Sequence, residues 1–325
     1  MKVTNKKVSS MHLARKYATA MFGVVVFVVF SILNENFCTF TNQMQLLRSM
    51  SMLTIVGLGF NFVFAAGGFD MSVGDIAGFI NIMLGLLLTQ GHSVLVSILA
   101  CLAIGVVVGS INGTLVAVLG LPDFIATYAV GIVFYGIKMM ITKGNPISLP
   151  HTNIPESFFY IGQGKIGGAL PVPVIIMAVI LALVIFVLKK TRLGRRIYAI
   201  GGNKVAAQYS GINVSKYRFI TFMVSGLAVA LASIMLTSRL GTAQPLGGTD
   251  FLMDAIASTY LSTTMFGEGE ATPLGIFVGA YIISMLTNGL TMLNVEYYFQ
   301  YITKGLVVIL AVLTSAYYTK RMAKA

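Results

Sequence analysis

Residues 171–190 read PVPVIIMAVILALVIFVLKK, an uncharged apolar run that ends at two lysines. A hydrocarbon core about 30 Å thick is crossed by a helix of about 20 apolar residues. The run therefore predicts a transmembrane helix whose last residues, Lys189 and Lys190, lie in water. The whole chain has the same character, since 57% of it is hydrophobic, only 10% is charged and the mean hydropathy is +0.87. This composition is typical of a membrane protein rather than a soluble domain.

Further apolar runs, separated by short polar breaks, extend over most of the chain. They predict an all-α polytopic membrane protein with about ten transmembrane helices. The spans are expected near 17–33, 46–66, 72–90, 93–119, 123–142, 171–188, 217–239, 253–266, 273–292 and 301–318. The run after the basic N-terminus has no small-residue cleavage site behind it, so it is interpreted as a retained first helix.

Basic residues predict the orientation of these helices. Most of the 22 Lys and Arg lie in three acid-free stretches, at Lys2–Lys16, Lys189–Arg218 and Lys320–Lys324. The positive-inside rule places all three in the cytoplasm. Residues 1–325 then form a single transmembrane domain with cytoplasmic termini, a cytoplasmic loop at 189–216 and an outer loop at 143–170. The net charge of +12 does not indicate nucleic-acid binding, because no basic stripe is interleaved with aromatics on a soluble module.

Two stretches of the chain are alike. GVVVGSING begins at Gly105 and GIFVGAYIISMLTNG begins at Gly275, and each Asn-Gly is followed fifteen positions later by a Thr. The predicted topology gives the two stretches opposite directions, which indicates an inverted internal repeat of the kind found in transporters. Coincidence within a glycine-rich apolar sequence is the alternative. The small residues at four-residue spacing suit close helix packing.

The stretch AAGGFDMSVGDIAG, residues 65–78, interrupts the apolar pattern. A carboxylate is costly at the bilayer centre, so Asp70 and Asp75 are expected at the membrane boundary or against protein and water. Gly67 and Gly68 predict a helix break, and Ser72 is placed to cap the helix that restarts. A capped helix junction with no further role explains the same residues.

Four stretches in sequence order resemble permease subunits of ribose-type bacterial ABC importers, within the branched-chain amino acid and ribose permease superfamily. They are GGFDMSVGD, LGLPDFIATYAVG, TRLGRRIYAIGGNKVAAQYSGI, and DAIAS followed by NGL and ITKGLVVILAV. The resemblance covers about Met44 to Tyr318. It implies a type II ABC importer-like fold in the bacterial cytoplasmic (inner) membrane and translocation of a monosaccharide or related small polar solute.

The resemblance also implies the partners. These are two cytoplasmic ABC ATPase subunits or one fused double ATPase, a second permease chain that is identical or diverged, and an extracytoplasmic solute-binding protein. ATP and Mg are then bound by the ATPases, and no cofactor is bound by this chain. IGQGKIGG is the nearest approach to a phosphate-binding loop, but Phe159 and Ile166 stand where that motif needs Gly and Ser or Thr.

In this family, the loop at 189–216 carries a short coupling helix that docks on the ATPase. Here it would run from Asn203 to Ser210. Gly201 and Gly202 are expected to form its entry turn, Asn203 to cap it, Ala206 and Ala207 to provide a small-residue face, and Gly211 to end it. A tether that only enforces topology and touches anionic lipid is the alternative.

The translocation path is indicated less directly. Phe60, Asn61 and Phe64 precede the break and, with Asp70, are candidates to line the path, although packing explains them too. Asp75, where the family usually has Ser, and Glu268 with Glu270 depart from the family pattern.

A second function stays open, namely an ion-coupled secondary transporter that works without an ATPase. Such a carrier needs intramembrane carboxylates, and Asp70, Asp75, Asp254 and Glu268 are the candidates. His12, His92 and His151 are scattered and predict neither a metal site nor a catalytic triad.

Overall fold

A computed structural model describes residues 20–152, 154–265 and 270–322, with side chains up to residue 313. The described chain is built mainly of helices. They are α1 (Ala20–Leu33), α2 (Phe40–Ala65), α3 (Val73–Thr89), α4 (Val94–Gly113), α5 (Asp123–Thr142), α6 (Glu156–Gln163), α7 (Val172–Lys190), α8 (Arg192–Gly202), α9 (Lys204–Tyr209), α10 (Val214–Leu240), α11 (Phe251–Met265), α12 (Pro273–Met292) and α13 (Tyr297–Met322).

Strands are short and lie outside the apolar helices. β1 (Ile147–Ser148) pairs with β4 (Thr242–Ala243), and β2 (Lys165–Ile166) pairs with β3 (Leu170–Pro171), both antiparallel. A π-helical turn, Thr114–Val118, prolongs α4. The predicted outer loop at 143–170 thus holds α6 and strand residues and is not a bare connection.

Every predicted span overlaps a described helix, and six of the described helices are long and apolar enough to cross a membrane. These six are α2, α4 with its π turn, α5, α7, α10 and α12, while α1, α3 and Tyr297–Leu313 are shorter apolar helices. The all-α membrane class is therefore confirmed. The count of ten crossings, the inverted repeat and the single transmembrane domain stay predictions.

The chain forms two compact units, which we name by their position in the sequence. The middle unit is Ser51–Ala255, and the terminal unit combines the described residues of Met1–Met50 with those of Ile256–Ala325.

The middle unit is organised around α10, which packs along α4 at very short distance. A Cβ added to Gly109 would lie 2.4 Å from the Phe222 carbonyl oxygen, and one added to Gly226 would lie 2.1 Å from the Gly105 carbonyl oxygen. Side chains at these positions would force the two helices apart. The packing role predicted for Gly105 and Gly109 is confirmed, since small residues let helix backbones approach where no water is expelled.

In the terminal unit, α12 packs on α11 through the second glycine pair. A Cβ on Gly275 would meet the Ser262 hydroxyl at 2.2 Å, and one on Gly279 would meet the Ser258 carbonyl oxygen at 2.6 Å. Farther along α12, the amides of Asn288 and Asn42 exchange hydrogen bonds of 3.0 and 3.1 Å. This reciprocal pair satisfies two polar groups that would be costly in lipid.

Candidate functional site

The 189–216 segment contains a short capped helix at the expected place. α9 runs over Lys204–Tyr209, with Asn203 as its N-cap and Ser210 as its C-cap. The Ala206 amide donates to Asn203 Oδ1 at 2.9 Å, and the Ser210 hydroxyl donates to the Ala206 carbonyl oxygen at 2.9 Å. Gly211 follows with a φ of 79°, the left-handed conformation that ends helices.

Gly201 and Gly202 do not form the entry turn predicted for them. They are the last residues of α8, and the turn into α9 is made by extended backbone at Asn203. A Cβ on Gly201 would lie 2.1 Å from the Ala65 carbonyl oxygen, whereas one on Gly202 would meet nothing within 4 Å. Gly201 is therefore needed where the end of α8 touches the end of α2, a contact that the sequence pattern does not reveal.

Ala206 and Ala207 do not share one exposed face. Ala207 is buried with Ile200, Val214 and Tyr217, whereas Ala206 is exposed. The expected small-residue face is wrong in this respect, because Ala207 holds α9 against the rest of the segment.

The exposed large apolar side chains of α9 are Val205 and Tyr209, at 61% and 90% of their full exposure. They are four residues apart and so lie on one helix face. That spacing could have been noticed in the sequence.

The break lies between α2 and α3, and Gly67, Gly68 and Ser72 fall within it. Gly67 has a φ of 71°, and the Gly68 amide returns to the Val63 carbonyl oxygen at 2.9 Å, which closes the end of α2. A Cβ on Gly68 would come within 2.7 Å of Asp123 Oδ2. The chain therefore passes close to α5 as it leaves α2, and a side chain at position 68 would clash there.

Two residues of α5 hold the extended part of the break. Asp123 Oδ2 accepts from the Phe69 amide at 3.2 Å, and Thr127 Oγ1 accepts from the Met71 amide at 2.9 Å. These side chains replace the helical partners that the break has lost, as buried backbone amides require.

Asp70 lies within a buried hydroxyl network and is only 2% exposed. Its Oδ1 accepts from the Ser72 amide at 3.1 Å and from the Ser72 hydroxyl at 2.5 Å, and its Oδ2 accepts from the Ser225 hydroxyl at 2.8 Å. Asn112 Nδ2 donates to Ser72 Oγ at 2.8 Å. Ser72 occupies the N-cap position of α3 but makes no capping bond, so its predicted capping role is wrong: its hydroxyl binds Asp70 instead.

Two ion pairs support the same region, and three of their four residues were not among the sequence candidates. Arg218 Nη2 lies 2.5 Å from Asp123 Oδ2, and Lys138 Nζ lies 2.9 Å from Asp75 Oδ1. The Lys138 side chain is fully buried. For Lys138, a charge inside an otherwise apolar helix is the signal that could have identified it.

The residues proposed to line a path are closed off in this conformation. Phe60 and Asn61 are fully buried, and Phe64 is half-buried. The Phe60 ring lies 6.3 Å from that of Phe64 and 5.1 Å from that of Phe69, between ring centroids. Glu268 lies outside the described residues, and Glu270 begins the next described stretch.

Known proteins resemble this chain along nearly its whole length. The family model for the branched-chain amino acid transport system / permease component matches residues 42–312. A ribose import permease protein of Bacillus subtilis is 39% identical over 289 residues, which are 89% of this chain and 89% of that protein. A ribose import permease protein of Haemophilus influenzae is 36% identical over 90% of this chain and 91% of its own length.

A relative with another substrate in its name is similar to nearly the same extent. The D-allose transport system permease protein of Escherichia coli is 34% identical over 91% of this chain and 90% of its own length. No solved structure matches the chain.

Proposed function

Because this chain belongs to the branched-chain amino acid transport system / permease component family, we propose that it is the transmembrane permease subunit of an ATP-driven ABC importer for a monosaccharide or related small polar solute. The observation that carries the proposal is the similarity to ribose import permeases over about nine-tenths of both chains. The multi-pass protein would lie in the bacterial inner membrane with cytoplasmic termini. The chain itself is not an enzyme in this proposal.

The transport cycle follows from the partners that this role requires. Two ATPase subunits or one fused double ATPase bind ATP and Mg, a second permease chain completes the path, and an extracytoplasmic binding protein delivers the solute. Alternating access then moves the solute while this chain binds no cofactor. A ligand that favours one of two conformations shifts the population only by its difference in affinity, so the ATPase must contact a part of this chain that moves.

The exposed face of α9 suits that contact. Val205 and Tyr209 present apolar surface in a segment whose other exposed side chains are mainly basic or polar. Burial of apolar surface favours association, and Tyr is enriched among residues that dominate interface energies. A tether that only touches lipid has no need of a capped helix with this face.

The contact between α8 and α2 supplies a route from α9 to the membrane helices. α9 is attached to α8 through Ala207 and its apolar cluster, and Gly201 of α8 touches Ala65 at the end of α2. Residues 66–72 follow directly and are bound to α5 by Asp123 and Thr127. A movement of α9 would therefore reach the break and the Asp70 network through a short series of direct contacts.

The test is co-purification of the ATPase with variants of the exposed face. Val205→Glu with Tyr209→Ala should abolish co-purification and solute-stimulated ATP hydrolysis while the permease melts at an unchanged temperature, because both side chains are exposed. Lys204→Gln, on another face of α9, is the matched control. It should retain both co-purification of the ATPase and solute-stimulated ATP hydrolysis.

The ion-coupled carrier is the outcome that would overturn the proposal. A carrier transports alone in liposomes and responds to a proton or sodium gradient, whereas a permease subunit is inert without its ATPase. Asp75 is already paired with Lys138, and Asp70 accepts three hydrogen bonds from neutral groups. Neither carboxylate stands free as an ion site in this conformation.

A further inference from the structure

Two fully buried asparagines of the middle unit differ in what surrounds them. Asn81 of α3 donates from Nδ2 to the Gly247 carbonyl oxygen at 3.0 Å and accepts at Oδ1 from the Thr237 hydroxyl at 2.7 Å. Asn61 of α2 is 0% exposed, yet neither Nδ2 nor Oδ1 has a hydrogen-bond partner in the described part of the chain. The same side chain is thus satisfied in one helix and unsatisfied in the other.

A second polar group on α2 is in the same condition. Thr54 is 0% exposed, and its hydroxyl finds no partner among the residues that the structure describes. A helical Thr ordinarily donates to the carbonyl oxygen three or four residues earlier, as Thr221 does to Arg218 at 2.6 Å. Thr54 does not even make that local bond.

Thr54 and Asn61 share one face of α2. They are seven residues apart, which is close to two helical turns, or about 10 Å along the axis. They therefore form a polar stripe at two levels of the helix. Among the described residues, no hydrogen bond joins the stripe to the Asp70 network, where each carboxylate oxygen has a donor.

Packing does not account for this stripe. A buried polar group without a partner destabilises the fold, and natural proteins rarely keep one. Leu has the same branched skeleton as Asn, and Val the same as Thr, without polar atoms to satisfy. The unsatisfied groups therefore indicate a binding role that this conformation does not fulfil.

We propose that Thr54 and Asn61 bind the hydroxyl groups of the transported monosaccharide at two successive levels of the path along α2, an inference that rests on the proposed function. A sugar hydroxyl both donates and accepts, which matches the paired donor and acceptor of an amide and the dual character of a Thr hydroxyl. Neutral groups also suit transport, because their hydrogen bonds to a sugar are weak enough for the sugar to be released. The path is closed at both levels in the conformation described.

The experiment measures uptake and stability together in the reconstituted complex of permease, ATPase and binding protein. Labelled ribose, allose and xylose are the probes. Asn61→Leu and Thr54→Val should each lower uptake about tenfold, the change expected when a substrate loses one good hydrogen-bonded contact. The melting temperature of both variants should stay unchanged or rise, because a buried unsatisfied group has been removed.

Matched controls come from satisfied residues of the same types. Asn81→Leu should lower the melting temperature because Thr237 loses its partner, but uptake per folded complex should be retained. Thr221→Val should likewise leave uptake unchanged.

Each other outcome overturns a defined part of the argument. If Asn61→Leu and Thr54→Val transport as well as the wild type, the stripe does not bind substrate. If both variants lose uptake together with melting temperature, the two residues are structural. If the wild-type complex transports none of the three sugars, the monosaccharide function itself fails and the inference fails with it.

Discussion

The break between α2 and α3 and the helix α9 are both rich in polar and small residues. The two regions orient their polar side chains in opposite directions. In the break, Asp70 and Ser72 are buried and hydrogen-bond to each other and to neighbouring helices. In α9, the polar side chains point outward, and apolar Val205 and Tyr209 are left exposed. The difference teaches that a substitution in the break should cost stability, whereas one on the outer face of α9 should cost a partner.

The largest expected effect follows from breaking the Asp123–Arg218 pair. Asp123→Leu leaves the Arg218 guanidinium, whose side chain is 11% exposed, without its carboxylate, and it removes the acceptor of the Phe69 amide. A loss of about 3 kcal/mol is expected from an unpaired buried charge. Thermal melting of the purified permease in detergent measures it.

A double variant separates charge from packing at the same place. Asp123→Leu with Arg218→Met removes both charges and should recover much of the lost stability, since apolar replacements of buried pairs are often tolerated. Equal losses in the single and double variants would mean that the bond to Phe69, not the ion pair, stabilises the break.

A smaller effect on stability is expected at Gly201 and should be absent at Gly202, the two glycines at the end of α8. Gly201→Ala pushes a methyl group against the Ala65 carbonyl oxygen and should cost about 1–3 kcal/mol, the usual cost of overpacking. Gly202→Ala has open space and should be neutral or slightly stabilising in a helix. Melting curves compare the stability of the two variants, and the number of ATP molecules consumed per solute transported compares their coupling. If Gly201→Ala keeps wild-type stability and coupling ratio, α8 does not act on α2 through this contact.

The smallest expected effect on stability concerns the N-cap of α9. Asn203→Ala removes the acceptor of the Ala206 amide and should cost about 1 kcal/mol. Hydrogen exchange of the amides of residues 204–209 should accelerate while α10 remains protected. Asn203→Asp keeps the acceptor and serves as the control, and equal exchange in the two variants would show that α9 does not depend on this cap.

Local patterns carried much of the prediction. The positions of the apolar helices, the cap at Asn203, the end of α9 at Gly211 and the break at Gly67 all depend on residues close in sequence. The failures concern long-range contacts. Ser72 is predicted to cap α3, but its hydroxyl donates to Asp70 and accepts from Asn112, which lies 40 residues away along the chain. Gly201 was expected to make a turn, but a helix end approaches it instead.

The sequence by itself determined that this protein is a helical membrane protein of a permease family, because apolar periodicity, basic loops and short motifs are local properties. Only the tertiary structure decided which polar groups are satisfied. Asn61 and Asn81 are the same residue type, and both are buried in apolar helices. Their difference arises from partners such as Thr237 and Gly247, more than 150 residues away along the chain from Asn81, which only folding brings to bonding distance.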